Sequence, residues 1–82
     1  LTILDIRNEK DFLDGHIPEA TLLPYKMVKK QYTGLDKNKK YLVYCETGKK
    51  SEKIAKTLSS NGFSKVYVLI GGIEKWNYEL AR

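Results

Sequence analysis

Eighty-two residues bound this chain to one domain, and a domain of that size buries only about 60% of the surface its unfolded chain exposes. Hydrophobic residues make up 41%, nine of the residues are aromatic, and no apolar run approaches the roughly 20 residues of a membrane span, which excludes a spanning helix. Fifteen basic residues against ten acidic give a net charge of +5. The lysines are spread, with one cluster at Lys26, Lys29 and Lys30 and another at Lys37, Lys39 and Lys40, and Arg7 and Arg82 are the only arginines. That pattern reads as solvated helix faces and turns, not a nucleic-acid surface.

In chain order, Leu1 to Ile6 reads as a strand, with Ile3, Leu4 and Ile6 apolar and with Asp5 and Arg7 arriving at its end, where charges must be solvated or paired. Asn8 suits the cap of a short helix over Glu9 to Asp14, stopped by Gly15. Ala20 to Leu23 is a second short strand. Pro24 suits the first turn of a helix running to about Tyr32, in which Tyr25, Val28 and Tyr32 form an inward apolar stripe. Thr33 to Lys40 is a polar connector. Tyr41 to Tyr44 then forms a strand, Cys45 to Lys50 a tight loop, and Ser51 onward a helix with Ile54, Ala55 and Leu58 at helical spacing. Ser60-Asn61-Gly62 stops that helix, with Phe63 packing back on its last turn. Val66 to Ile70 is the last strand, followed by Gly71-Gly72 and a closing helix packed by Trp76. Strands alternating with helices argue an α/β fold with a mainly parallel sheet covered on both sides.

The only cysteine sits where the third strand meets the third long helix. In such sheets ligand sites lie beyond the carboxyl ends of the strands. If the loop curls back, the backbone N–H groups of Glu46 to Lys50 converge on the sulfur, and the helix dipole and Lys49 and Lys50 add positive potential. A free thiol has a pKa of about 8.5, and such surroundings lower it to roughly 3.5–7.5. A single cysteine cannot form an internal disulfide, nor build a structural zinc site with one histidine. Lone cysteines are often small buried hydrophobes; the Gly and the two Lys that follow this one favour a nucleophile.

Cys45-Glu46-Thr47-Gly48-Lys49-Lys50-Ser51 resembles the active-site loop of rhodanese-like domains, Cys-x-x-Gly-x-Arg followed by Ser or Thr. Asp5-Ile6-Arg7, Asp11-Phe12, Gly15-His16-Ile17-Pro18 and Ala20 resemble that family's amino-terminal motif, and Gly71-Gly72-Ile73 with Trp76 its carboxy-terminal one. Together they span nearly the whole chain in order. The resemblance implies one rhodanese-like domain over 1–82, in a small three-layer α/β fold whose mainly parallel sheet has four to five strands and helices on both faces. Lys50 stands where arginine is common, replacing a planar bidentate clamp with a mobile point charge.

The implied function is a sulfurtransferase. Cys45 takes a sulfane sulfur from a small anionic donor such as thiosulfate, holds it as a persulfide and passes it to cyanide, a small thiol or a protein thiol. Glu46, Thr47, Gly48, Lys49, Lys50 and Ser51 form the substrate-binding loop, with Arg7, Gly71 and Gly72 as secondary candidates. The resemblance makes Asp5 and Arg7 mainly structural and His16 a loop-holding residue, not a general base. The two glycines let the backbone approach the sulfur pocket. No metal and no organic cofactor is called for, and neither a nucleic acid nor a membrane is expected as partner. A tyrosine-phosphatase-type loop reads Cys-x5-Arg, whereas here the basic residue comes one position early. The alternative is a noncatalytic or carrier-only rhodanese-like module that binds or regulates a partner. One unpaired cysteine leans towards a cytoplasmic location, and a start without methionine keeps a processed periplasmic form open.

Overall fold

The computed structural model describes residues 1–82. Its four strands are β1 (Thr2–Asp5), β2 (Thr21–Leu22), β3 (Tyr41–Tyr44) and β4 (Val66–Val68), and its three helices are α1 (Glu9–Asp14), α2 (Tyr25–Gln31) and α3 (Lys49–Ser60). The sheet is wholly parallel, in the order β2-β1-β3-β4. From β1 the first crossover moves to one side, while the crossovers into β3 and β4 move to the other. Right-handed connections therefore put α1 on one face and α2 with α3 on the opposite one, as three layers.

Strand alternation explains what each face holds. Leu4 of β1 and Val43 of β3 are register partners, and with Ile6, Tyr41 and Cys45 they point into the α2–α3 layer. There they meet Leu23, Val28, Ile54, Leu58 and Phe63 in a ten-residue core. Asp5 and Tyr44, also register partners, point to the α1 side. The helix caps follow the sequence: the Asn8 side chain accepts from the Asp11 N–H at 2.8 Å. At the other end of α3, Gly62 adopts φ 92° while Phe63 N–H reaches back to Leu58 O at 3.1 Å. This is the expected left-handed stop, with Phe63 buried behind it.

The carboxy-terminal region departs from expectation. The last strand ends at Val68, and Ile70, expected inside it, is 90% exposed. The closing helix is a single 3-10 turn over Ile73–Lys75, after which Trp76 is extended at φ −78°, ψ 115°. The cause is tertiary. Ala81 and His16 exchange backbone hydrogen bonds of 2.8 and 3.0 Å as an antiparallel bridge, and Arg82 Nε donates to Asp14 O at 2.9 Å. Residues 77–80 lead to that bridge without helix, through a bend at Tyr78. α2 likewise ends at Gln31, with a 3-10 turn over Tyr32–Gly34. No helix is long and apolar enough to cross a membrane.

Candidate active site

Cys45 follows the last residue of β3 and is 5% exposed. Its loop turns back because Gly48 takes φ 103°, a left-handed conformation that L side chains rarely adopt. That turn aims the Gly48 N–H at the sulfur, with N to Sγ at 3.1 Å, and starts α3 at Lys49. Ser51, fully buried in the first turn of α3, places Oγ 3.5 Å from Sγ and donates to Gly48 O at 3.0 Å. One hydroxyl thus touches the thiol and ties the loop to the helix.

Burial by itself raises the pKa of the Cys45 thiol. The Ser51 hydroxyl and the N–H groups of Ser51, Gly48 and Lys50 outweigh it, so the thiol lies below its ordinary value. The convergence expected from Glu46 to Lys50 is therefore carried by Gly48, Lys50 and Ser51. Lys49 and Lys50 line the cavity beside Cys45, and Lys50 Nζ sits 5.2 Å from the centre of the Tyr25 ring.

Above the sulfur opens a cavity of about 620 Å³, lined by Cys45, Glu46, Thr47, Lys49 and Lys50 from the loop, by Ile6, Arg7, Asn8 and Asp11 beyond β1, and by Pro24, Tyr25 and Lys26 at the start of α2. Gly48 and Ser51 lie beneath it, buried. Four basic side chains against two acidic ones line this cavity, giving a surplus of positive charge suited to an anion. Tyr25 and Lys26 are functional candidates that sequence reasoning missed. Tyr25 fits the apolar stripe, and the only signal for Lys26 was its place in the first turn of a helix that begins at the strands' carboxyl ends.

Arg7 lines the cavity while being held from behind. Its Nε lies 3.1 and 3.2 Å from the Asp5 carboxylate oxygens, Nη2 lies 2.7 Å from Oδ2, and Nη2 also donates to Gly15 O at 2.7 Å. Tyr44 Oη donates to Asp5 Oδ2 at 2.6 Å and accepts the Ile17 N–H at 3.1 Å. Burial, then the bond to Asp5, raises the Tyr44 pKa well above the usual phenol. Through this knot Asp5 and Arg7 tie residues 15–17 to the sheet. Tyr44 is a member that the sequence showed only as part of an apolar strand. His16 is outside the cavity lining, stacked on Phe12 with centroids 3.8 Å apart, its Nδ1 2.9 Å from Phe12 O.

Gly71 and Gly72 do not line the cavity; their main chain comes up against the Cys45 loop from its other side. They brace the loop from behind. Gly72 sits at φ 66°, ψ −165°, and a Cβ there would run into the carbonyls of Cys45 and Glu46. Ile73 N–H donates to Cys45 O at 2.9 Å and Glu74 N–H to Glu46 O at 3.2 Å. Trp76 is partly buried against Tyr78, with its indole N–H on Glu79 O at 3.2 Å, and no closing helix lies beneath the site.

The chain is similar to known proteins over nearly its whole length. The model of the rhodanese-like domain matches residues 1–79. The thiosulfate sulfurtransferase GlpE of Coxiella burnetii is 37% identical over 76 residues, covering 93% of this chain and 71% of that protein. The putative sulfur carrier protein YrkF of Bacillus subtilis is 33% identical over 93% of this chain, which spans only 41% of that relative's length. Among solved structures, a rhodanese-related protein from Thermoplasma volcanium superposes with a TM-score of 0.91 at 28% identity, covering 98% of this chain and 82% of that one. A rhodanese-like domain protein from Staphylococcus aureus gives 0.89 at 29% identity, with 99% and 79% covered.

Proposed function

The chain belongs to the rhodanese-like domain family, and from that premise we propose that it is a sulfurtransferase in which Cys45 carries the sulfur as a persulfide. The observation that supports this most is the cradle itself: a thiol held below its ordinary pKa by Ser51 and main-chain N–H groups, at the floor of a cavity with surplus positive charge. The Cys45 thiolate attacks the outer sulfur of a donor such as thiosulfate. The S–S bond of the donor breaks, sulfite leaves with the electron pair, and a Cys45 persulfide remains. An acceptor thiolate or cyanide then attacks the terminal sulfur and Cys45 departs as thiolate. Each step is a displacement at sulfur, so no outside oxidant is consumed. The loop dipoles offset the negative charge in both steps, while Lys26, Lys49, Lys50 and Arg7 supply the field that draws in the donor.

A carrier-only reading uses the same cradle, and the similarity to a putative sulfur carrier protein supports it. Intact mass spectrometry after incubation with thiosulfate tests whether Cys45 accepts sulfur, and multiple-turnover consumption of thiosulfate with cyanide separates an enzyme from a carrier. Gain of one sulfur atom, reversed by cyanide and absent in Cys45→Ser, is the expected result. No gain with thiosulfate or any other small sulfane donor removes the enzyme reading and leaves the module that serves a protein partner.

A further inference from the structure

The charge of this chain is sorted by layer. α2 carries Lys26, Lys29 and Lys30 and no acid, while α3 carries Lys49, Lys50, Lys53 and Lys56 against Glu52 alone. Seven lysines less one acid leave a surplus of six on two helices, more than the +5 of the whole chain, so the rest of the molecule is net negative by one. All seven lysines are exposed. The one ion pair in the structure is Arg7 with Asp5, so none of the seven is paired.

Spacing gathers these charges on one side. Lys26, Lys29 and Lys30 share a face of α2, as do Lys49, Lys53 and Lys56 on α3. Val28, Ile54 and Leu58 are buried in the core, and α2 and α3 cover the same face of the sheet, so both lysine stripes look outward together. Local stability explains only part of the arrangement: Lys29 and Lys30 suit the last turn of α2, but the lysines that open α3 do not suit its first turn. Cations in the first turn of α3 oppose the helix dipole, and like charges at i, i+4 destabilise a helix by a few tenths of a kcal/mol. Lys26, Lys49 and Lys50 also line the cavity above Cys45, so the positive field starts at its rim and runs away from it along both helices.

The chemistry of the surface favours one kind of partner. It has no arginine for bidentate phosphate contacts, and its one ring beside the cavity, Tyr25, is partly buried beneath Lys50, leaving no open platform for a base. Met27 is its only exposed large hydrophobic residue, too little apolar area to enter a lipid interface. Resting on the sulfur-transfer reading, we infer that the α2–α3 face is the docking surface for an acidic protein that presents a cysteine thiol to Cys45. Its carboxylates meet the lysine stripes while its thiolate enters the cavity and attacks the terminal sulfur of the Cys45 persulfide. The partner becomes the persulfide and Cys45 leaves as thiolate.

The test starts from protein loaded with thiosulfate, with loading verified by mass. Single-turnover discharge is then followed into three cysteine peptides of equal length flanked by Glu, Gln or Lys. At low salt the Glu peptide should react about tenfold faster than the Gln peptide, and the Lys peptide slowest, with the differences collapsing at high salt. The combined variant Lys29→Glu, Lys30→Glu and Lys53→Glu, all outside the cavity, should erase the Glu preference and leave loading and discharge to cyanide unchanged. Equal rates for the three peptides at low salt, or a variant that keeps the preference, overturn the proposal. Salt-sensitive binding to phosphatidylglycerol vesicles or to duplex DNA alongside charge-blind transfer overturns it in favour of that other partner. Failure to load sinks the sulfur-transfer reading instead. The surface is then tested by binding of the Glu peptide, which must be lost in the variant.

Discussion

Two polar clusters stand side by side at the carboxyl ends of β1 and β3, and they are built from opposite materials. The Asp5–Arg7–Tyr44 knot is made of side chains that are nearly or fully buried and bonded to one another. The Cys45 cradle is made of main-chain N–H groups and one serine, and its longer side chains, Glu46, Thr47, Lys49 and Lys50, lie outside in solvent. The first depends on residue identity and the second on backbone shape. A knot of buried charge holds the amino-terminal turn against the sheet. The cradle leaves the outer face of its loop free to meet a substrate.

Breaking the knot should have the largest effect. Asp5→Ala strands Arg7 and the Tyr44 hydroxyl without their common acceptor, and the loss of one partner from a buried pair costs about 3–5 kcal/mol. A urea titration should show the midpoint falling sharply at constant slope. If the midpoint moves by no more than a surface substitution would move it, the knot is ornamental and the contrast collapses.

Gly72→Ala attacks the cradle through its backbone. The φ of 66° and ψ of −165° lie in a region kept for glycine, and the added methyl meets the carbonyls of Cys45 and Glu46. The expected cost is about 2–3 kcal/mol, together with slower alkylation of Cys45, because the loop must shift to make room. Retained thiol reactivity in a folded Gly72→Ala protein would mean that the brace does not shape the cradle.

The smallest change is the most specific. The Cys45 pKa is lowered in the folded state, so its contribution to stability is fully present above the pKa of a free thiol and is lost as pH falls through the folded value. Alkylation by iodoacetamide should accordingly titrate with a midpoint below about 8.5. Ser51→Ala removes the hydroxyl on the sulfur and its tie to Gly48 O, moving that midpoint upward and costing about 1 kcal/mol in stability. An unchanged midpoint would leave the main chain as the sole support of the thiolate.

Much of this was legible because short-range rules placed it. Cys45 between an apolar strand and a helix, Asn8 before α1 and Gly62 after α3 each follow from neighbours within a few residues, and the parallel sheet follows from the alternation of elements. What escaped depends on register and on distant partners. Tyr44 joins the knot only because β1 and β3 pair with Asp5 opposite it, and the bond spans 39 positions of sequence. The carboxy-terminal segment is pinned where Ala81 finds His16, for which the residues near Trp76 carry no local mark. Gly71 and Gly72 were recognised as special positions, but which side of the loop they press on is fixed by the turn leaving β4.

The lengths of the strands bear on how the molecule tolerates its own neighbours. The two four-residue strands, β1 and β3, lie inside the sheet, while the outer positions fall to β2 with two residues and β4 with three. Another copy approaching either flank finds only two or three residues of strand to pair with, and Lys65 stands at the entrance to β4. Short flanks of this kind oppose the edge-to-edge stacking through which sheets grow into fibres, so the fold guards itself against polymerisation by geometry.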